Sequence, residues 1–156
     1  MTGPPTAGRW RISRILRPTL GAVDEVCARV RERLKGGPAA ADWYSVELLL
    51  REALTNAVLH GCAGDATRRV RCDVRVGARS VRLEVASDGP GFDWRAAMRE
   101  GPSETATSGR GLKIYAAYAD RVSFDETGNR LVLVRRLPGA GQEAGDAGSS
   151  NRADRR

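Results

Sequence analysis

Residues 51–61 read Arg-Glu-Ala-Leu-Thr-Asn-Ala-Val-Leu-His-Gly, and the segment around them decides the fold. Val46, Leu49, Leu50, Ala53, Leu54 and Ala57 recur at helical spacing, so about 42–60 is expected to form a helix with one buried face. Asp42 is its expected N-cap. Gly61 is the expected residue past its end, where positive φ costs glycine little. Beside the apolar face runs a polar stripe: Glu52, Asn56 and His60, spaced i, i+4, i+8 along one edge. An amide oxygen there can hold a hard cation such as Mg²⁺. A carboxylate one turn away can accept a proton from an attacking hydroxyl or water. The same stripe also suits a solvated helix edge, with His60 near the last carbonyls of the dipole.

Working outward, Trp10, Ile12 and Leu16 suggest a short strand ended by Pro18. Leu20, Val23, Val26, Cys27, Val30 and Leu34 predict an amphipathic helix over 20–35, capped by Thr19 and stopped by Gly36-Gly37-Pro38. Alternation in 68–76 and 80–86, with Gly77-Ala78-Arg79-Ser80 between, predicts a hairpin. A short helix is possible at 93–99, a Gly/Ser/Thr-rich loop covers 100–109, and 110–119 reads as a helix. Strands near 121–126 and 129–136 turn at Gly128-Asn129. Helices grouped against hairpins imply an α+β two-layer sandwich, a mixed β-sheet with helices on one face. Residues 1–11 are expected to be a flexible leader, 12–137 one domain, and 138–156, without apolar periodicity, a disordered tail.

The 156 residues are 41% hydrophobic and 29% charged, the balance of a soluble globular domain. No apolar run is long enough to span a membrane, and the start has no signal-peptide core, so a cytoplasmic protein is expected. Three scattered cysteines and a single histidine exclude a disulfide framework and a zinc site. Of the formal +7, residues 1–17 contribute +4 and residues 138–156 nothing, which leaves +3 for the body. The excess reads as an N-terminal feature rather than a basic face, and nucleic-acid binding is not expected from it.

Two further stretches resemble ligand loops. Ser87-Asp88-Gly89-Pro90-Gly91 follows a strand, where glycines admit a ligand close to the backbone; a plain turn has the same composition. Ser108-Gly109-Arg110-Gly111-Leu112 carries a loop into a helix, whose free N–H groups and dipole suit phosphate. It is neither a P-loop nor a dinucleotide fingerprint: no Gly-Lys-Ser/Thr follows, and Ile114 stands where a third glycine would be.

Together, in this order, REALTNAVLHG (51–61), SDGPGFD (87–93) and SGRGLKIYAAYADRV (108–122) strongly resemble the N, G1 and G2 boxes of the gyrase, chaperone, histidine-kinase and MutL (GHKL) ATP-binding superfamily. The wording of the boxes is similar to the anti-sigma-factor serine/threonine kinases of the RsbW and SpoIIAB type. The resemblance covers about 12–137 and implies the GHKL (Bergerat) fold, ATP and Mg²⁺. It puts Glu52 at the catalytic carboxylate, Asn56 at the magnesium ligand and His60 where the helix reaches the nucleotide. Ser87, Gly89 and Gly91 fall on the base pocket, 100–109 on the lid, and Gly109, Arg110, Gly111 and Leu112 on the segment over the phosphates. Ser87 stands where the family usually carries the aspartate that accepts from the adenine amino group.

The implied function is phosphorylation of a small anti-sigma-factor antagonist (STAS) domain, with partner switching to a sigma factor and a possible homodimer. The alternative is a binding module of the same fold with weak or absent catalysis.

Overall fold

A computed structural model describes residues 8–91, 93 and 107–138, apart from the side chains of 107–110. The chain runs β1 (Trp10–Leu16), α1 (Leu20–Lys35), a 3₁₀ turn (Ala40–Asp42), α2 (Trp43–Asn56) with a π-helical turn (Ala57–Gly61), β2 (Val70–Val76), β3 (Ser80–Ser87), α3 (Thr107–Tyr118), β4 (Arg121–Phe124) and β5 (Arg130–Arg136). Thr19 caps α1 as expected, its Oγ1 accepting from the Ala22 N–H at 3.2 Å. Asp42 does not cap α2 with its side chain. Its carboxylate accepts instead from Arg135 Nε at 2.8 Å and so ties the start of α2 to β5.

The sheet order is β1-β2-β3-β5-β4 and every pairing is antiparallel, which corrects the expected mixed sheet within the α+β sandwich. Two facts account for it. The two helices between β1 and β2 return the chain reversed. β4 runs in the same direction as β3, but β5 lies between them, so no parallel pair forms.

Alternate residues of the strands face the helices. Val70, Cys72, Val74, Val76, Val81, Leu83 and Val85 are buried there against Val23, Val26, Val30 and Leu34 of α1 and Leu49, Leu50, Ala53 and Leu54 of α2. Burying each of these valine and leucine side chains contributes about 1.5–3 kcal/mol before entropy. Between α1 and α2, Glu47 is buried and takes both ends of the Arg31 guanidinium, with Nε to Oε2 at 2.6 Å. Arg51 extends the cluster to Asp24 at 2.5 Å. The Arg31 hydrogen bonds hold the Glu47 carboxyl below its usual range, against the opposing effect of burial.

The other face of the sheet is open. Register places Arg11, Arg71, Arg75, Arg82, Arg121, Arg130 and Arg136 on it, against Asp73 and Glu84. Asp73 accepts from Arg11 and Arg75, and Glu84 from Arg82 and Arg130, at 2.6–2.9 Å. Among the described residues this face carries seven arginines against two acids, so the positive excess is not confined to the N-terminal stretch, and the expectation of no basic face is corrected. Arg11 from the N-terminal stretch joins arginines more than sixty residues away, a proximity that a count along the chain does not show.

The expected leader and tail lie largely outside the described residues, as do most of the possible helix at 93–99 and the loop at 100–109. Among the described residues no helix is long and apolar enough to cross a membrane.

Candidate functional site

The helix face of the sheet holds a pocket with a cavity of about 160 Å³. Ala53, Asn56, Ala57, His60 and Gly61 form one wall, Val85 and Ser87 the floor, and Leu112 and Tyr115 of α3 a third side. Gly91, Phe124, Asn129 and Leu131 close it. Three stretches separated by dozens of residues therefore meet at one place.

Ser87 reaches the pocket because β3 alternates. It is the last residue of the strand, on the same side as Val85, and is 8% exposed. Asp88 points elsewhere. It is exposed, its N–H donates to Arg69 O at 3.2 Å, and its Oδ2 accepts from the Arg69 N–H at 3.2 Å. The turn beyond is packed backbone against backbone. A Cβ on Gly89 would overlap Gly61 O, and one on Gly91 would overlap Thr127 O, where φ is also +79°. Asn129 fastens the turn by donating from Nδ2 to Gly89 O at 3.2 Å and accepting, through its carbonyl, from the Ser87 N–H at 2.9 Å.

Gly61 corrects an expectation. It does not take positive φ; the chain turns later, at Ala63 (φ 50°) and Gly64 (φ 79°). Residues 57–61 widen into a π-turn, with Cys62 N–H donating to Ala57 O at 2.8 Å. Gly61 is required there for space, since a Cβ would collide with the Ser87 hydroxyl.

At the other end Asn56 Nδ2 donates to the Tyr115 hydroxyl at 2.9 Å. The carboxamide oxygen is not used in that bond and remains the hard donor of the pair. Gly111 lies over it: a Cβ there would overlap Asn56 Nδ2. Burial pushes the Tyr115 phenol well above its usual range; the Asn56 hydrogen bond opposes this and the Glu52 charge adds to it. Glu52 is thus within electrostatic reach of Tyr115, half-buried, one turn before Asn56 and outside the lining of the pocket.

Of the residues singled out in the sequence, Asn56, His60, Ser87, Gly91 and Leu112 line the pocket. Gly89 and Gly111 pack directly behind it, and Glu52 sits beside it. Residues from Thr107 are already helical, earlier than the expected 110, so Gly109, Arg110 and Gly111 lie within α3. Tyr115, Asn129 and Phe124 were missed. Tyr115 had a signal, standing four residues after Gly111 on the same helix face. Asn129 had none, since its role depends on the turn that brings it to Gly89.

The histidine kinase-like ATPase domain matches residues 16–135, which is most of the chain. The chain belongs to the histidine kinase-like ATPase family. Among solved structures it is similar to a histidine kinase domain from the blue-light activated histidine kinase of Erythrobacter litoralis EL346, at 15% identity and a TM-score of 0.47. That match covers 83% of this chain and 64% of the other. No curated protein matches the sequence.

The family implies ATP, with Mg²⁺ as its usual companion, and the residues present fit both. The slot between Ala57, Val85, Phe124 and Leu131 is apolar, as a planar base requires, with a hydroxyl at one end. Gly111 leaves room over Asn56 and lies in the N-terminal half of α3, the positive half of its dipole, which favours anions. Among the described residues no group of three His, Cys, Asp or Glu could hold a metal ion. A single amide oxygen suits Mg²⁺ carried in by phosphates, since that ion keeps its waters and takes few protein ligands.

Proposed function

We propose that this GHKL-type ATPase domain is a serine/threonine protein kinase of the anti-sigma-factor type, which phosphorylates a STAS-domain antagonist. The observation that supports the reading best is the convergence of Asn56, Ser87 and Leu112 on one pocket, with Gly111 held against Asn56.

Phosphoryl transfer asks a protein mainly for positioning and charge neutralisation. Bound Mg²⁺ would neutralise the phosphates and polarise the transferred group, with Asn56 Oδ1 as its protein ligand. The N–H groups at the start of α3 would face the phosphates, and Arg110 is assigned there by the resemblance. Ser87, Gly89 and Gly91 would shape the base end, with His60 at the rim. Glu52 would accept the proton of the attacking serine or threonine hydroxyl. The oxygen then bonds to the γ-phosphorus as the bond to the β-phosphate oxygen breaks, and ADP leaves. A cytoplasmic regulator that alternates between sigma factor and antagonist, as a possible homodimer, completes this reading.

The second reading, a binding module with weak catalysis, is favoured by Ser87 alone, a neutral hydroxyl where the family usually has a carboxylate. The test is incubation with labelled ATP, Mg²⁺ and the STAS protein encoded nearest the gene. Label on a serine or threonine of that protein supports the kinase. Nucleotide binding without transfer to any STAS partner supports the module.

A further inference from the structure

We propose that the base end of the pocket does not discriminate between purines, so that the site takes guanine nucleotides about as readily as adenine nucleotides. The proposal rests on the nucleotide reading above and concerns which base the pocket accepts.

Three observations carry it. First, the buried polar side chain at the floor is a hydroxyl. Ser87 is 8% exposed, its backbone is fixed by the bond to Asn129 O, and Gly61 opens space at its Oγ. Second, no carboxylate lines the pocket among the described residues. The nearest in sequence, Asp88, is held outward by two hydrogen bonds with the Arg69 backbone. Third, the other polar side chains at this end are not acidic either: His60 at the rim is an imidazole, and Asn129 is an amide already engaged, donating to Gly89 O and accepting from Thr127 Oγ1 at 2.8 Å.

The edges of the two purines differ in sign. Adenine presents an amino donor where guanine presents a carbonyl acceptor. An ionised carboxylate only accepts, so it binds the first and repels the second. A serine hydroxyl rotates: it accepts from the amino group or donates to the carbonyl, with the same oxygen in the same place. Selectivity arises when a polar group of fixed sense is left unpaired by the wrong ligand. A hydroxyl in a slot that no carboxylate lines has no fixed sense and penalises neither base.

The experiment is calorimetric titration of the full chain with ATP, GTP and CTP, each with Mg²⁺, on wild type, Ser87→Asp and Ser87→Ala. The expected result is ATP and GTP affinities within about threefold of each other, both at least tenfold tighter than CTP. Ser87→Asp should then separate the purines by tenfold or more in favour of ATP. Ser87→Ala should weaken both together and keep their ratio, and it serves as the test if the aspartate variant does not fold. Wild-type binding of ATP tenfold or more tighter than GTP overturns the proposal and leaves the nucleotide reading intact. Absence of binding by all three nucleotides overturns the nucleotide reading itself, and the proposal with it.

Discussion

The two ends of the pocket both depend on glycine, but for different neighbours. At the base end, Gly89 and Gly91 lie against the carbonyl oxygens of Gly61 and Thr127. Backbone meets backbone there, and neither side can yield without moving an element. At the α3 end, Gly111 lies against the terminal amide of Asn56, a side chain that can rotate away. The base end is a fixed seat. The α3 end is a seat for one movable group, held in this structure by the Tyr115 hydroxyl. A substitution at the first should cost folding, and one at the second should cost function.

The largest effect should come from Glu52→Gln at the α3 end. Phosphoryl transfer should fall about 10²–10⁴-fold, the usual contribution of a general base, while nucleotide affinity stays within a few-fold. Transfer at the wild-type rate would remove Glu52 from the mechanism.

Gly89→Ala tests the fixed seat. Overpacking costs about 1–3 kcal/mol and more where backbone must shift, so the upper end applies. Thermal unfolding should show a fall of roughly ten degrees, on a scale of several degrees per kcal/mol for a domain of this size. An unchanged midpoint would mean that the turn yields and the contrast between the ends is false.

Glu47→Gln lies away from both ends and serves as the stability reference. Its carboxyl is depressed by Arg31, so the stability it adds is present above its ordinary value of 4.5 and is lost as pH falls below that. Charged hydrogen bonds are worth about 1.5–3 kcal/mol, and the lower part applies here because Arg31 keeps 40% of its side chain exposed. Denaturant midpoints of wild type and variant should differ at pH 7 and converge toward pH 3. Equal separation at both would show that the pair does not titrate with folding.

Gly111→Ala should sharpen the contrast. Alanine in a helix interior gains about 0.5–1 kcal/mol over glycine, which offsets the crowding, so the unfolding midpoint should move little. Nucleotide affinity with Mg²⁺ should fall about tenfold as Asn56 is displaced, equivalent to about 1.4 kcal/mol. A large loss of stability would place this glycine with the base end.

The smallest effect is expected from Tyr115→Phe. It removes one neutral hydrogen bond, worth about 0.5–1.5 kcal/mol, and frees the Asn56 amide. Affinity for Mg-nucleotide should change by no more than a few-fold.

Much of this was legible in the sequence for local reasons. The periodicity of Val23, Val26, Val30 and Leu34 with a capping threonine placed α1 at its observed limits, because helix bounds are set within a few residues. The 70s–80s hairpin was legible for the same reason. Sheet order was not, since the insertion of β5 between β3 and β4 is a pairing across some fifty residues. The π-turn was equally invisible: Gly61 looks like an ordinary helix stop until Ser87, twenty-six positions on, is seen against it. The outward aim of Asp88 was legible, because alternation along an extended strand fixed it.

The most direct test of the account is magnesium-dependent ATP affinity in wild type and Asn56→Ala, measured by calorimetry with Mg²⁺ and again with chelator. The account predicts that wild type binds ATP at least tenfold tighter with Mg²⁺ than without. The Asn56→Ala protein should fold, bind ATP weakly and show almost no dependence on the ion. Equal Mg²⁺ dependence in the two proteins would contradict it, because the ion would then be held without the residue around which this end of the pocket is built.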